Sequence, residues 1–154
     1  MFSKVELQKA YSQLLAEYNW QWFCTLTFRN PPHPEAAVKL FKVWINKINR
    51  EIYGCRYHKR KQCVYWALAL EYHKSGVLHF HALVGDSHDL NTRCSRKWAH
   101  SNWYELGGIN RIDPIDDRLK AVTNYISKYV TKGGEIDFSD NLVGYGLQLS
   151  GVEV

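Results

Sequence analysis

Two short segments of the chain carry residues that could do chemistry together. His79-Phe80-His81 lies inside an apolar run, and Tyr125-Ile-Ser-Lys128-Tyr129-Val-Thr-Lys132 lies in a later segment with helical spacing. Two imidazoles separated by one residue on a strand point to the same face, because side chains alternate across a strand with period two. The stretch from Val64 to His73 reads as a partner strand, and Lys74-Ser75-Gly76 reads as a three-residue hairpin loop with glycine at its left-handed position. That loop length sets the register: His73 faces Val77, so Glu71 stands across from His79 and Ala69 across from His81. A carboxylate beside two imidazoles suits Mn²⁺ or Mg²⁺ with positions left for a phosphate oxygen, and zinc remains an option. The even-numbered face, with Val64, Trp66, Leu68, Leu70 and Tyr72 on one strand and Leu78, Phe80, Ala82 and Val84 on the other, is the core-facing side. The odd face has only Ala67 and Ala69 beside the candidate ligands, which predicts a bare surface with room for an approaching group.

The approaching group is a phenol. On a helical wheel of about 100° per residue, Tyr125, Lys128, Tyr129 and Lys132 share one arc, while Leu119, Val122, Ile126 and Val130 fill the adjacent one. A phenol with its ordinary pKa of about 10 is a weak nucleophile at neutral pH. Neighbouring lysines could lower that value or hold the phosphate under attack, with the cation polarising a phosphoryl oxygen. Each feature has a plainer reading on its own. A His-x-His pair occurs by chance in many proteins, and two tyrosines four residues apart on a helix are most often packing. Glu71 falling opposite His79, and the phenols falling on a helix edge, favour the chemical reading. His73 shares the ligand face and is either a supporting group or a loop residue, whereas His58, His88 and His100 have no comparable company.

At these residues the sequence resembles the HUH endonucleases, the nicking enzymes of rolling-circle replication, which carry a His-hydrophobic-His metal motif and a downstream tyrosine helix. Asn124-Tyr-Ile-Ser-Lys-Tyr-Val-Thr-Lys-Gly133 is similar to the two-tyrosine pattern of microvirus A proteins and Helitron transposases. Tyr129-Val-Thr-Lys132-Gly-Gly-Glu135 is similar to the corresponding segment of single-tyrosine initiators, which makes Tyr129 the first candidate nucleophile and Tyr125 a second nucleophile or helper. Phe23-Cys24-Thr25-Leu26-Thr27-Phe28 resembles the family's first motif. The family's third metal ligand carries over onto Glu71, the residue that the hairpin register selects independently. The resemblance spans about Trp22 to Gly133.

Composition bounds what else the chain could be. At 154 residues it is the size of one ordinary domain, expected here as a single HUH endonuclease domain over 1–154 with no helicase domain. A hydrophobic content of 45% argues against disorder. No apolar run approaches the roughly eighteen residues of a membrane span, and the N-terminus lacks the features of a secretory leader, so the expected location is the cytoplasm of a host cell. Cysteines 24, 55, 63 and 94 lack zinc-ribbon spacing and are expected to be free thiols. The formal charge of +5 suits a polyanionic partner. Arg56, Lys59, Arg60 and Lys61 concentrate cations just before the strand that supplies Glu71, and Arg93, Arg96 and Lys97 cluster beside Trp98. Such runs are often only solvated loops; beside a nicking site a DNA-backbone role is the better reading.

Apolar periodicity lays out the elements that must position these groups. A helix is expected over about 4–18, then a strand from Trp22 to Phe28 broken by Pro31 and Pro32. A second helix runs from about Glu35 to Glu51 with the stripe Val38, Phe41, Trp44, Ile45, Ile48 and Ile52. After the basic loop and the ligand hairpin come one helix from about Asn91 to Leu106 and a short strand around Ile109 to Ile112, ended by Asp113-Pro114. The tyrosine helix begins near Asp116 and stops at Gly133-Gly134. This alternation predicts an α+β fold, a central antiparallel sheet with helices packed on one face. The resemblance implies the same, as a ferredoxin-like or RNA-recognition-motif-like sheet with the site on its open face.

The resemblance implies tyrosine attack on a phosphodiester of single-stranded DNA at a replication origin. A 5′-phosphotyrosine and a free 3′-hydroxyl result, starting and ending rolling-circle replication of a plasmid or virus. Because no phosphate-binding loop of the Gly-x-x-x-x-Gly-Lys kind is present, helicase and polymerase would be separate partners. A transposase or relaxase uses the same site and is the nearest rival, followed by a nucleic-acid-binding module that never cuts. A histidine-triad hydrolase would need a third alternating histidine where the chain has Leu83.

Overall fold

In the computed structural model the described residues are 3, 6, 9–10, 13, 15–30, 32–60, 62–72, 78–115 and 136–142. The predicted tyrosine helix, with Tyr125, Lys128, Tyr129 and Lys132, lies outside them, as do Lys61 and the hairpin loop with His73.

Five strands form one sheet: β1 (Trp20–Leu26), β2 (Tyr65–Tyr72), β3 (Leu78–Gly85), β4 (Asn110–Pro114) and β5 (Ile136–Phe138). Their order is β4-β1-β3-β2-β5, with every neighbouring pair antiparallel. The crossover from β1 to β2 carries helix α1 (Pro34–Tyr53), and β3 returns between those two strands. The crossover from β3 to β4 carries α2 (Leu90–Arg93) and α3 (Arg96–Leu106). Two interleaved crossovers giving the order 4-1-3-2 make the ferredoxin-like α+β arrangement expected from the sequence, extended at the β2 edge by β5.

Helix α1 forms where its apolar spacing demands. Phe41, Trp44, Ile45 and Ile48 are buried, with Val38 and Ile52 packed beside them. Pro34 takes the first helical position, where its missing N–H costs nothing, and Gly54 ends the helix at a φ of 85°. The segment expected as one helix over 91–106 is two. Asp89 caps α2 by accepting from the Asn91 N–H at 3.1 Å, and Ser95 caps α3 by accepting from the Trp98 N–H at 3.3 Å. Two capping residues six apart start two helices, and the extended Cys94 between them drops its thiol into the core.

Strand boundaries also shift. β1 starts earlier than the alternation of 22–28 suggests, and a register irregularity between Trp20 and Trp22 moves Trp20 onto the face opposite Trp22. Between them, Gln21 clips the end of β3. Its Nε2 donates to the Asp86 and His88 carbonyls, both at 3.1 Å, and its Oε1 accepts from the Leu90 N–H at 2.8 Å. Asp113-Pro114 does not end β4, since Pro114 still pairs with Trp22. Proline is tolerated there because β4 is an edge strand. β5 carries no alternation long enough to register as a strand.

The even face meets the helices in an aromatic core. Phe80 lies edge-on to Phe28 and Phe41 at centroid distances of 5.2 and 6.1 Å, and Trp44 lies edge-on to Trp103 at 5.8 Å. Each buried indole finds an acceptor: Trp44 donates to the Ala99 carbonyl at 2.9 Å, and Trp103 to that of Thr27 at 3.0 Å. The odd face is not bare. Leu15, Trp20, Ala67, Ala69, Leu83 and Leu142 form a second buried cluster, joined by Phe23, Tyr65, Ile136 and Phe138. Small alanines let this layer sit close on the sheet, so they signal covering rather than open space. Toward Thr25, Glu71 and His79 this face is half-buried.

All four cysteines are free thiols. Burial pushes the Cys24 thiol far up and that of Cys94 to about 12, with Glu51 adding to the latter, while Cys55 is exposed. An Ellman titration of the folded protein at pH 8 is expected to react first at Cys55 and then at Cys63, with Cys24 and Cys94 reacting only after unfolding. In urea denaturation, Phe80→Ala should cost about 3–5 kcal/mol by emptying the centre of the aromatic cluster; a loss below about 1 kcal/mol would contradict that packing.

Candidate metal and nucleic-acid site

β2 and β3 pair in the register that the three-residue loop dictates: Glu71 opposite His79, and Ala69 opposite His81. Of the predicted metal ligands, Glu71 and His81 are in contact, with His81 Nε2 3.0 Å from Glu71 Oε1. The His81 side chain is 8% exposed and that of Glu71 26%, so the carboxylate faces solvent while the imidazole is sunk into the sheet. His79 shares their face and is half-buried. Among the described residues, no three His, Cys, Asp or Glu side chains are already gathered in metal-binding geometry. The donors nevertheless fit a hard divalent cation. Adjacent ligands of an octahedral ion with bonds of about 2.1 Å stand about 3.0 Å apart, which is the observed separation of the Glu71 and His81 donor atoms.

The neighbours of this pair come from β1 and β4. Phe23 stacks on His81 with ring centroids 6.1 Å apart and planes 18° from parallel, so it holds the imidazole's orientation. Thr25 pairs with His81 on one side and with Arg111 on the other, placing Arg111, Thr25, His81 and Ala69 in one row across four strands. Arg111 is 78% exposed and its Nε lies 3.0 Å from Asp113 Oδ2. Sequence reasoning assigned Arg111 no role, because its place beside the histidine row exists only once β4 pairs with β1. The first motif therefore contributes through Phe23 and Thr25, while Cys24 and Leu26 go to the core.

The basic loop sits elsewhere. Arg56, Lys59 and Arg60 are exposed on the turns between α1 and β2, and Tyr57 anchors them by donating its hydroxyl to Asn46 Oδ1 at 2.8 Å. They lead into the start of β2, whereas Glu71 is near its end, a distance of about 20 Å at 3.3 Å per residue. The expectation that these cations lie beside the metal residues is therefore corrected: they flank the opposite end of the same strand. In the second basic cluster, Arg93 lies over the Tyr53 ring at 4.9 Å.

Two described tyrosines near this sheet are poor nucleophiles. Burial pushes the Tyr53 phenol up to about 12, helped by its hydrogen bond to Asp86, and burial likewise pushes Tyr65 up to about 12. Tyr53 donates to Asp86 at 2.5 Å, and Tyr65 to the Asn19 carbonyl at 2.6 Å, so both hydroxyls are committed to the fold.

No helix among the described residues is long and apolar enough to cross a membrane. No curated protein and no solved structure matches the chain. The model of one protein family, described as Replication-associated protein ORF2, matches residues 21–134, from the first residues of β1 through the tyrosine-bearing segment and well over half of the chain. With a sheet that aligns a carboxylate with two histidines inside that match, the chain belongs to this family of replication-associated proteins.

Proposed function

We propose that this protein is an HUH-type nickase that cuts and rejoins single-stranded DNA at an origin, initiating and terminating rolling-circle replication of a plasmid or virus. The observation that carries the reading is the β2–β3 register, which puts Glu71, His79 and His81 on one face with donor atoms of two of them 3.0 Å apart. Membership of a replication-associated family supports it.

Glu71, His79 and His81 would hold Mn²⁺ or Mg²⁺, which when bound supplies a Lewis acid for a phosphoryl oxygen. Tyr129, with Tyr125 as second nucleophile, provides the phenol. Its oxygen bonds to phosphorus as the P–O3′ bond breaks; the phenol proton passes to solvent and the departing 3′ oxygen takes one up. A 5′-phosphotyrosine and a 3′-hydroxyl result, so the energy of the cut bond is kept and a later 3′-hydroxyl can reverse the step. Lys128 and Lys132 neutralise charge building on the phosphate. Phe23 keeps His81 oriented, and the exposed guanidinium of Arg111 adds positive charge on the same face. Arg56, Lys59, Arg60 and Lys61 bind the DNA backbone away from the cut, and a separate helicase and polymerase open and extend the strand.

Incubation with Mn²⁺ and labelled single-stranded oligonucleotides is expected to give an SDS-resistant protein–DNA adduct, assigned by mass spectrometry to Tyr129 or Tyr125. The doubly substituted Tyr125→Phe/Tyr129→Phe protein should form none while still binding DNA. An adduct that survives both substitutions removes the tyrosine mechanism. Separately, calorimetric titration with Mn²⁺ should detect one site, weakened more than about tenfold by Glu71→Ala or His81→Ala, since even outer partners of metal ligands cost that much. Equal affinity in wild type and both variants would locate the cation elsewhere.

A further inference from the structure

A cavity of about 470 Å³ opens between α1, the turns after it, and the β2–β5 edge, within the roughly 300–1,000 Å³ of small-ligand sites. Its walls include the aromatic rings of Tyr57, Trp66 and Phe138, and its polar lining includes Lys42, Asn46 and Asp140. Trp66 is only 6% exposed and lies edge-on to Phe41, which makes it a fixed floor. Because the Tyr57 hydroxyl donates to Asn46 Oδ1, the amide's NH₂ is left as donor. Asp137, also on the wall, has its Oδ1 accepting from the Phe138 N–H at 2.9 Å. Among the described residues no ion pair joins Lys42 to Asp140, so a cationic donor and a carboxylate both remain for a ligand.

Aromatic walls with a few convergent donors and acceptors are how proteins hold a single unstacked base and read its hydrogen-bonding edge. The polar set selects among the four bases. A carboxylate accepts two hydrogen bonds side by side, and guanine alone offers two adjacent donors, N1–H and the N2 amino group. Its O6 and N7 are acceptors, matched by the Asn46 amide and the Lys42 ammonium. Adenine and cytosine set a donor beside an acceptor on that edge, which would press a lone pair against the carboxylate. We propose that this cavity binds one unpaired guanine of the DNA strand, with Asp140 reading its donors and Tyr57 forming an aromatic wall. The exposed Arg56, Lys59 and Arg60 beside Tyr57 would hold the flanking phosphates. Trp66 and Glu71 are five residues apart on β2, about 17 Å at 3.3 Å per residue, so the base read here lies several nucleotides from the phosphate that is cut. The inference rests on the nickase reading only in taking single-stranded DNA as the polymer.

The test uses free mononucleotides, so it does not depend on any cut being made. The full chain is titrated with dGMP, dAMP, dCMP and dTMP while the NMR signals of the Tyr57 ring, the Trp66 indole and the Asn46 amide are followed. Those signals are expected to move with dGMP at least about fivefold tighter than with the other three, the discrimination of one good bidentate contact. Asp140→Asn should bring the four nucleotides close to equal affinity, and Tyr57→Ala should weaken all of them. Asn46→Ala, expected to weaken dGMP most, provides a second variant if Asp140→Asn misfolds. Equal affinities in the wild type, a guanine preference that survives Asp140→Asn, or shifts confined to Phe23 and His81 would overturn the proposal. A protein that forms no adduct yet prefers dGMP at these signals would keep the pocket and lose the nickase.

Discussion

The pairing of β2 with β3 is the constraint on which the rest of this molecule depends. Because side chains alternate with period two, slipping that pairing by one residue would turn Glu71, His79 and His81 toward the helices and push Phe80, Leu70 and Leu68 onto the other face. The register is held from three directions. The short loop limits it by length, the aromatic layer around Phe80 by volume, and β1 by pairing with β3 along its other edge from Gly85 to Phe80. A metal-binding face built on the two central strands of a five-stranded sheet is therefore as rigid as the core beneath it. That rigidity is what a site must have if it is to hold a phosphate in one orientation.

How much of this could be read from the sequence follows from which interactions are local. The hairpin register depended only on loop length and alternation, and both are written in the chain. The stripe of α1 was legible for the same reason. Its periodicity is strong, and proline and glycine stand at its ends. What escaped was set by partners far away in sequence. Trp20 crosses to the second face because β1 has an irregularity at Gln21, whose amide binds carbonyls of Asp86 and His88. Pro114 stays within a strand because β4 happens to be an edge. β5 is three residues long and exists through its pairing with Ala67–Ala69. The alanines of β2 were the most misleading signal, since a small side chain is equally compatible with an open face and with a closely packed second layer. Of the candidate site, the three ligand positions were legible, whereas Phe23 and Arg111 become neighbours of His81 only through sheet pairing.

Charge is distributed along β2 in a way that bears on how a strand of DNA would lie. The carboxylate and imidazoles stand at one end of the strand pair, while Arg56, Lys59 and Arg60 stand off the other. A polyanion drawn to the cations by long-range attraction would be captured first at the loop, where contacts to phosphates carry no sequence information. The guanidinium of Arg111, exposed and tethered to Asp113, offers a second cationic point near His81. Two positive points with the sheet edge between them define a direction for the strand as well as a place for it.

That direction has a consequence for specificity. The backbone contacts at the loop would bind any single strand, and the metal-binding face recognises a phosphate, which every nucleotide has. Neither end can choose an origin. Selection has to come from groups that touch bases, and between the two ends the described surface offers aromatic walls with Lys42, Asn46 and Asp140 facing one cavity. A base held there would fix which phosphate, several positions along, reaches Glu71 and His81. The distance from Trp66 to Glu71 is set by the rise of β2, which cannot stretch, so reading a base at one end would determine the point of cleavage at the other by simple measurement along a strand.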